Sequence, residues 1–214
     1  MWGGAVARNA VIAKRQYAPR LPPEQRCEQL LDAALTLVAE HGYSALTMQG
    51  VAGRAGVAKP VLYEMFGNRA ELLHALIERE EQRALRQVVD ALPDEVGGRS
   101  PEMVFAEAVR AFLEAVAARP ESWRVLLLPV EGAPAEVQER FDRARAGVLA
   151  RVEEFAEWGM SQRPGGELDT ELLGHTIVSM AEMAARLVLT GPARYPIDRM
   201  AGFLTEIARA VQRT

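Results

Sequence analysis

Lys59, Pro60 and Val61 stand together at the start of a short helical stretch, with Tyr63 and Glu64 following on the same turn. A lysine ammonium donates to guanine O6 and N7, or else to a phosphate oxygen. Proline and valine offer apolar contact to a thymine methyl, and a glutamate carboxylate accepts from the cytosine N4 amino group. Otherwise Glu64 repels phosphate or pairs with a neighbouring base such as Arg69. Such contacts require a helix that lies in the major groove, held there by a second helix.

Residues 46–72 are patterned to supply that pair. Thr47 is placed to N-cap a first helix, with Met48, Val51 and Ala52 on its apolar face. Gly53 and Gly56 break the run and Val57 restarts it. The second helix runs from about Lys59 to Phe66, with Pro60 in its first turn, where a missing N–H does no harm. This is the shape of a helix-turn-helix.

The residues go beyond the shape. Thr47, Val51, Ala52, Ala55, Gly56, Val57, Leu62, Tyr63, Phe66 and Leu72 keep the spacing T-x3-[IV]-A-x2-A-G-V-x4-L-Y-x2-F, followed by a polar step and a leucine. The chain resembles the TetR-type (TetR/AcrR) transcriptional regulators over this quarter of its length. The resemblance implies that Thr47 and Tyr63 donate their hydroxyl protons to phosphates and that Arg69, in place of the family's usual lysine, also contacts phosphate. The DNA-binding set is then Thr47, Ala58, Lys59, Pro60, Val61, Tyr63, Glu64 and Arg69. Three residues depart from the pattern. Ala58 lacks a hydroxyl for capping or phosphate, Gly50 weakens helix two by about 1 kcal/mol, and Glu64 places a carboxylate on the reading face.

Composition sets the frame. The 214 residues suit one domain or two small ones, and 49% hydrophobic residues are enough for a real core. A single cysteine, Cys27, excludes an intramolecular disulfide. No uninterrupted apolar run approaches the roughly 18 residues of a membrane span, and no apolar stretch follows the early basic residues as in a secretory signal. The expectation is a cytoplasmic protein without a membrane partner. The net charge of −4 divides unevenly. Residues 1–69 carry eight Lys/Arg and five Asp/Glu, while residues 70–214 carry seventeen and twenty-four. A basic N-terminal third fits a nucleic-acid partner.

The elements follow in order. Residues 1–22 hold Arg8, Lys14, Arg15 and Arg20 and no acid, and read as a flexible basic N-terminal arm or an unstructured leader. The helix-turn-helix domain spans 23–68, starting with a helix from Pro23 to about Glu40 whose Cys27, Leu30, Leu31, Ala34, Leu35 and Val38 share one face. A helical effector-binding and dimerisation domain spans 69–214. Its first helix, about 69–91, opens on an N-x-x-E box at Asn68 and Glu71 and carries a charged, solvated stretch from Arg79 to Arg86. Residues 92–100 form a linker. Five helices follow, at about 101–118, 121–128, 135–160, 168–189 and 196–212. The expected fold is all-α, with about nine helices.

By resemblance, helices four to eight enclose a small-molecule effector. The candidate lining is Phe105, Phe112, Trp123, Leu127, Phe155, Trp158, Met180 and Met183, with His175, Glu182 and Arg186 as a polar end; these side chains also suit an ordinary core. A flat lipophilic ligand fits that inventory better than a sugar or nucleotide. Helix eight bears a second stripe of small residues, Gly174, Val178, Ala181, Ala185 and Val188, which with Leu204, Ile207 and Val211 of helix nine is the candidate homodimer interface.

No H-E-x-x-H, P-loop or G-x-S-x-G occurs, and neither an enzyme nor a cofactor is expected. The reading is a homodimeric repressor released from a palindromic double-stranded DNA operator by a small lipophilic effector. The rivals are an activator or partner-controlled regulator of the same fold, and a helical small-molecule binder whose DNA-binding motif has decayed.

Overall fold

The computed structural model describes residues 21–91, 98–128, 133–162 and 168–212, with side chains as far as residue 210. Among them are nine α-helices and one 3-10 turn. The basic arm, apart from its last two residues, and most of the 92–100 linker lie outside the described residues.

The helices are α1 (Pro23–His41), α2 (Met48–Ala55), α3 (Lys59–Met65), α4 (Arg69–Ala91), α5 (Pro101–Ala118), α6 (Pro120–Leu127), α7 (Ala135–Ser161), α8 (Thr170–Thr190) and α9 (Ile197–Gln212). The breaks follow local chemistry. Pro23, Pro101 and Pro120 each occupy the first turn of a helix, where φ is already suitable. Gly42, with φ 79°, ends α1 and returns its N–H to the Val38 carbonyl. A single 3-10 turn, Tyr43–Ala45, then carries the chain to α2 and drives Tyr43 fully into the interior. Asn68 and Glu71 box the start of α4 as the sequence predicts. The Glu71 N–H donates to Asn68 Oδ1 at 3.0 Å, while the Glu71 carboxylate reaches back to the Gly67 N–H at 2.9 Å.

Two apolar cores form. The first gathers Leu30, Leu31, Ala34 and Val38 of α1, Val51 and Ala52 of α2, Leu62 of α3 and Leu72, Leu76 and Ile77 of α4. Val125 of α6 and Val137 of α7 are buried in that same core, and Phe141 packs on it. The second core joins α5, α6, α8 and α9 around Leu113, Val116, Trp123, Ala184, Ala185 and Leu204. Cys27 sits half-buried against the first core, and burial pushes its thiol pKa up. That is the behaviour of a packing residue, not of a nucleophile.

The charged stretch of α4 differs from the sequence reading. Arg79 is 9% exposed and Glu80 is fully buried. Arg79 pairs with Glu28 at 3.0 Å, Asp32 at 2.9 Å and Glu80 at 2.7 Å, and Arg83 adds a 2.5 Å contact to Glu28. The stretch is an ion network that ties α1 to α4. Dense charge reads as solvation in a sequence, but a buried guanidinium needs several carboxylates around it.

Helix α8 is long and apolar enough by composition to cross a membrane. Here it packs against α5, α6, α7 and α9 and leaves Leu172 and Met183 exposed.

Candidate nucleic-acid interface and internal cavity

Thr47 caps α2: its Oγ1 accepts the Gly50 N–H at 3.0 Å and keeps its own proton to donate. A Cβ built at Gly50 would lie 3.0 Å from Thr47 Oγ1, a close contact that a small shift of the hydroxyl relieves. Gly56 turns the chain at φ 68° and ψ 27°, the left-handed region that favours glycine, between α2 and α3. Ala58 stands at the N-cap of α3 in extended conformation and provides no side-chain cap.

Lys59, Pro60, Tyr63 and Glu64 are exposed on α3, and Val61 is half-buried. Tyr63 is 51% exposed on that surface. Lys59 Nζ donates to Gln49 Oε1 on α2 at 3.1 Å, so the two helices present one joined polar edge. Leu62 and Phe66, on the opposite face, are buried.

Arg54 of α2 and Arg69 of α4 are engaged within the protomer. Arg54 holds Glu40 with two hydrogen bonds, at 2.7 and 2.9 Å, which lowers the Glu40 pKa. Arg69 folds back: its Nε donates to the Leu46 carbonyl and one terminal nitrogen to the Tyr43 carbonyl, both at 2.6 Å. The structure thus makes Arg69 a clasp on the 43–46 segment. Glu64 makes no ion pair among the described residues, and Arg69 is not its partner.

Behind this domain lies a cavity of about 810 Å³. Five of the eight expected lining residues are there: Phe105, Phe112, Trp123, Leu127 and Phe155. Phe112 and Trp123 meet edge to face, with ring centroids 5.3 Å apart. The Trp123 N–H is satisfied by Gln87 at 3.0 Å. Trp158, Met180 and Met183 are not part of the wall. Trp158 packs on Phe155 from outside the cavity, Met180 packs into the second core, and Met183 is 40% exposed.

The polar end is partly as expected. Glu182 and Arg186 line the cavity, and His175 is exposed away from it. Glu182 receives Arg145 of α7 at 2.7 Å and Arg186 at 3.3 Å, and Arg186 also donates to the Leu127 carbonyl at 2.9 Å. Phe141, Ala144, Val148 and Val152, which share an apolar stripe of α7 with Phe155 in the sequence, were not assigned to the cavity, and Arg145 and Tyr43 were missed. Nothing local distinguishes Tyr43 from an ordinary core aromatic.

The small-residue stripe of α8 is consumed within the protomer. Gly174, Val178, Ala185 and Val188 are buried, as is Leu204 of α9, and Val178 and Ala181 line the cavity. A Cβ at Gly174 would lie 2.7 Å from Glu153 Cγ and 3.5 Å from Glu153 Cα, so the close approach is between α8 and α7. Ile207 is half-buried, and the Val211 side chain lies outside the described residues. What α8 and α9 leave exposed is a different set, led by Leu172, Met183 and Phe203.

Comparison with known proteins places this geometry. Residues 30–76 match the family model of bacterial regulatory proteins, tetR family. The HTH-type transcriptional activator FasR of Mycolicibacterium smegmatis is 38% identical over 95 residues, which cover 44% of this chain and 43% of FasR, so the match spans less than half of that relative. A TetR-like transcriptional regulator from Rhodococcus sp. RHA1 superposes with a TM-score of 0.71 at 28% identity, covering 88% of this chain and 96% of that one. The regulator FadR from Bacillus subtilis, solved in complex with stearoyl-CoA, shares the fold with a TM-score of 0.67 at 18% identity, over 84% of this chain and 96% of FadR. The motif, the nine described helices that include it and these likenesses agree: residues 30–76 are a tetR-family regulatory region, carried on a fold shared with TetR-like transcriptional regulators.

Proposed function

We propose that the protein is a cytoplasmic homodimeric transcriptional regulator that reads a palindromic operator through α2 and α3 and leaves it when a long lipophilic effector fills the cavity. The observation that carries this reading is the shared wall. Val125 and Phe141 line the cavity and also pack in the core under the DNA-reading helices. Filling the cavity therefore bears directly on how those helices sit. A coupling of about 1–3 kcal/mol would change operator affinity by 5- to 150-fold.

The cavity favours an elongated ligand over a flat one. Its α7 wall runs from Gln138 to Phe155, about 26 Å at the rise of an α-helix. The polar wall residues Gln138, Asp142 and Arg145 lie toward the α7 N-terminus, whereas Val148, Val152 and Phe155 follow toward its C-terminus. An apolar chain with a polar head suits that gradient. The stearoyl-CoA held by B. subtilis FadR has that chemistry.

The dimer surface we propose comprises Leu172 and Met183 of α8 with Phe203 and Ile207 of α9. The first three are exposed large apolar side chains on adjacent helices, and apolar groups so placed mark an association surface. Two copies would set the recognition helices against half-sites about 34 Å apart or more.

A random-duplex selection with the full chain tests the reading. The expected result is an enriched palindrome whose occupancy falls on addition of palmitoyl-CoA. Selection of no consensus at low salt would remove the DNA-binding claim. A consensus insensitive to acyl thioesters and fatty acids would remove the effector class. FasR is named an activator, so the same fold also serves the opposite sign of regulation; transcription from the selected site, with and without the protein, decides between the two.

A further inference from the structure

Two arginines flank one glutamate on the cavity wall. The Glu182 carboxylate accepts from Arg145 Nε at 2.7 Å and from a terminal nitrogen of Arg186 at 3.3 Å, so both of its oxygens are engaged. Arg186 is fixed a second time, through its Nε, on the Leu127 carbonyl. Arg145 is held by its Nε alone. Its two terminal nitrogens have no partner among the described residues, and both are open to solvent on a side chain 38% exposed. A guanidinium pinned in this way offers two N–H groups side by side, the arrangement that takes both oxygens of a carboxylate at once.

The other charges on the wall leave that fork available. Glu81 is neutralised by Arg140 through hydrogen bonds at 3.0 and 2.8 Å. Arg145 and Arg186 against Glu182 leave one positive charge. Asp142, one turn nearer the α7 N-terminus, is the remaining acid on the wall; it is exposed and accepts from Gln138 at 3.4 Å. Water screens an exposed carboxylate more than a half-buried guanidinium. Beyond Arg145 the α7 wall turns apolar through Val148, Val152 and Phe155, a run of about 15 Å at the rise of an α-helix.

We infer that Arg145 is the head-group receptor of the cavity: its paired terminal nitrogens bind the carboxylate of a long-chain acid whose apolar chain runs along α7 toward Phe155. Glu182, clamped by Arg186, is the positioning residue that holds the guanidinium in place. This deepens the reading of the cavity as an effector site and rests on it. It adds a requirement that an apolar cavity alone does not impose, an ionised carboxylate at the head. A thioester presents one uncharged carbonyl oxygen and an alcohol carries no charge, so the fork distinguishes a free acid from both.

The test is calorimetric titration of the full chain, Arg145→Gln and Arg145→Lys with palmitate, hexadecanol, hexadecylamine and palmitoyl-CoA, the first three delivered in cyclodextrin. The wild-type chain should bind palmitate more tightly than hexadecanol and hexadecylamine least. Arg145→Gln should bind palmitate roughly 10-fold more weakly, the lower end for hydrogen bonds to a charged group because the side chain is open to solvent. Hexadecanol should bind the wild-type chain and Arg145→Gln alike. Arg145→Lys keeps the charge without the fork and should fall between the wild-type chain and Arg145→Gln. Palmitoyl-CoA, which has no carboxylate, should lose less than palmitate. Palmitate-driven release of the selected duplex should need more ligand by the same factor, with ligand-free duplex affinity unchanged. Should Arg145→Gln melt several degrees lower, the palmitate-to-hexadecanol affinity ratio in Arg145→Lys decides. Equal palmitate affinity in the three proteins, or a parallel loss for hexadecanol, would overturn the inference and leave the cavity reading standing. Tighter binding of hexadecylamine than of palmitate would assign the head to Asp142 or Glu182 and overturn it as well. A larger loss for palmitoyl-CoA than for palmitate would put a phosphate or thioester on Arg145 and overturn the carboxylate assignment. Failure of the wild-type chain to bind any of the four would remove the lipophilic effector reading and this inference with it.

Discussion

Arg69 illustrates what a residue type conveys and what it omits. The family resemblance gives its position a phosphate, and a guanidinium is well suited to one. In the fold two of its nitrogens are committed to the carbonyls of Tyr43 and Leu46. Arg69→Ala should therefore cost stability, about 1.5–3 kcal/mol for charge-assisted hydrogen bonds, read as a lower melting temperature. Operator affinity should keep its salt dependence. A phosphate contact would instead reduce the slope of log K against log salt by about 0.9. Lys59 and Tyr63 separate differently. Lys59→Ala should relax preference at one base position by about 1–3 kcal/mol, whereas Tyr63→Ala should weaken binding to all sequences alike in a competition assay. Gly50 and Ala58 are visible in the sequence as departures. Nothing in the structure requires glycine at position 50.

At the scale of the element, the helices were legible because Pro, Gly and N-cap residues mark their ends; the expected spans of α4 and α5 coincide with those observed. Which neighbour each face meets was not. Helix α8 carries two apolar stripes, and periodicity reports both without naming the partner of either. The small-residue stripe meets α7, and Gly174 allows the approach. Gly174→Ala should push Glu153 aside and destabilise by about 1–3 kcal/mol, measured by denaturant unfolding, with no change in oligomeric state. Phe203→Glu should do the reverse. It places a charge on the exposed face of α9, so the chain should sediment as a monomer with its melting temperature close to that of an isolated wild-type protomer. A dimeric Phe203→Glu protein would locate the interface elsewhere. Five of the cavity's aromatic and aliphatic residues were legible for the same reason the helices were. Trp158, Met180 and Met183 were misplaced because side chains of equal size one turn apart diverge by tens of degrees around a helix.

At the scale of the whole molecule, the positive charge of the N-terminal third is concentrated in one place. Residues 1–22 carry four basic side chains and no acid, which leaves four basic against five acidic in residues 23–69. The folded reading domain is thus net −1, and Arg54 and Arg69 are engaged internally. We predict that the first 22 residues supply much of the phosphate attraction. A chain lacking them should melt at the same temperature, bind its operator more weakly at physiological salt, and lose about 3 to 4 from the salt slope. An unchanged slope would assign those residues no role on DNA.

The burial of Val125 and Val137 beneath the reading helices has a consequence for anyone who would exchange parts between relatives. A reading head cut after α4 would leave those helices with a pit where two valines belong, and a sensing body fused to a foreign head would present the same valines to a surface not shaped for them. Working hybrids of this protein should follow the packing seam, with Val125, Val137 and Phe141 travelling alongside residues 23–91, although more than thirty residues of chain separate them from it.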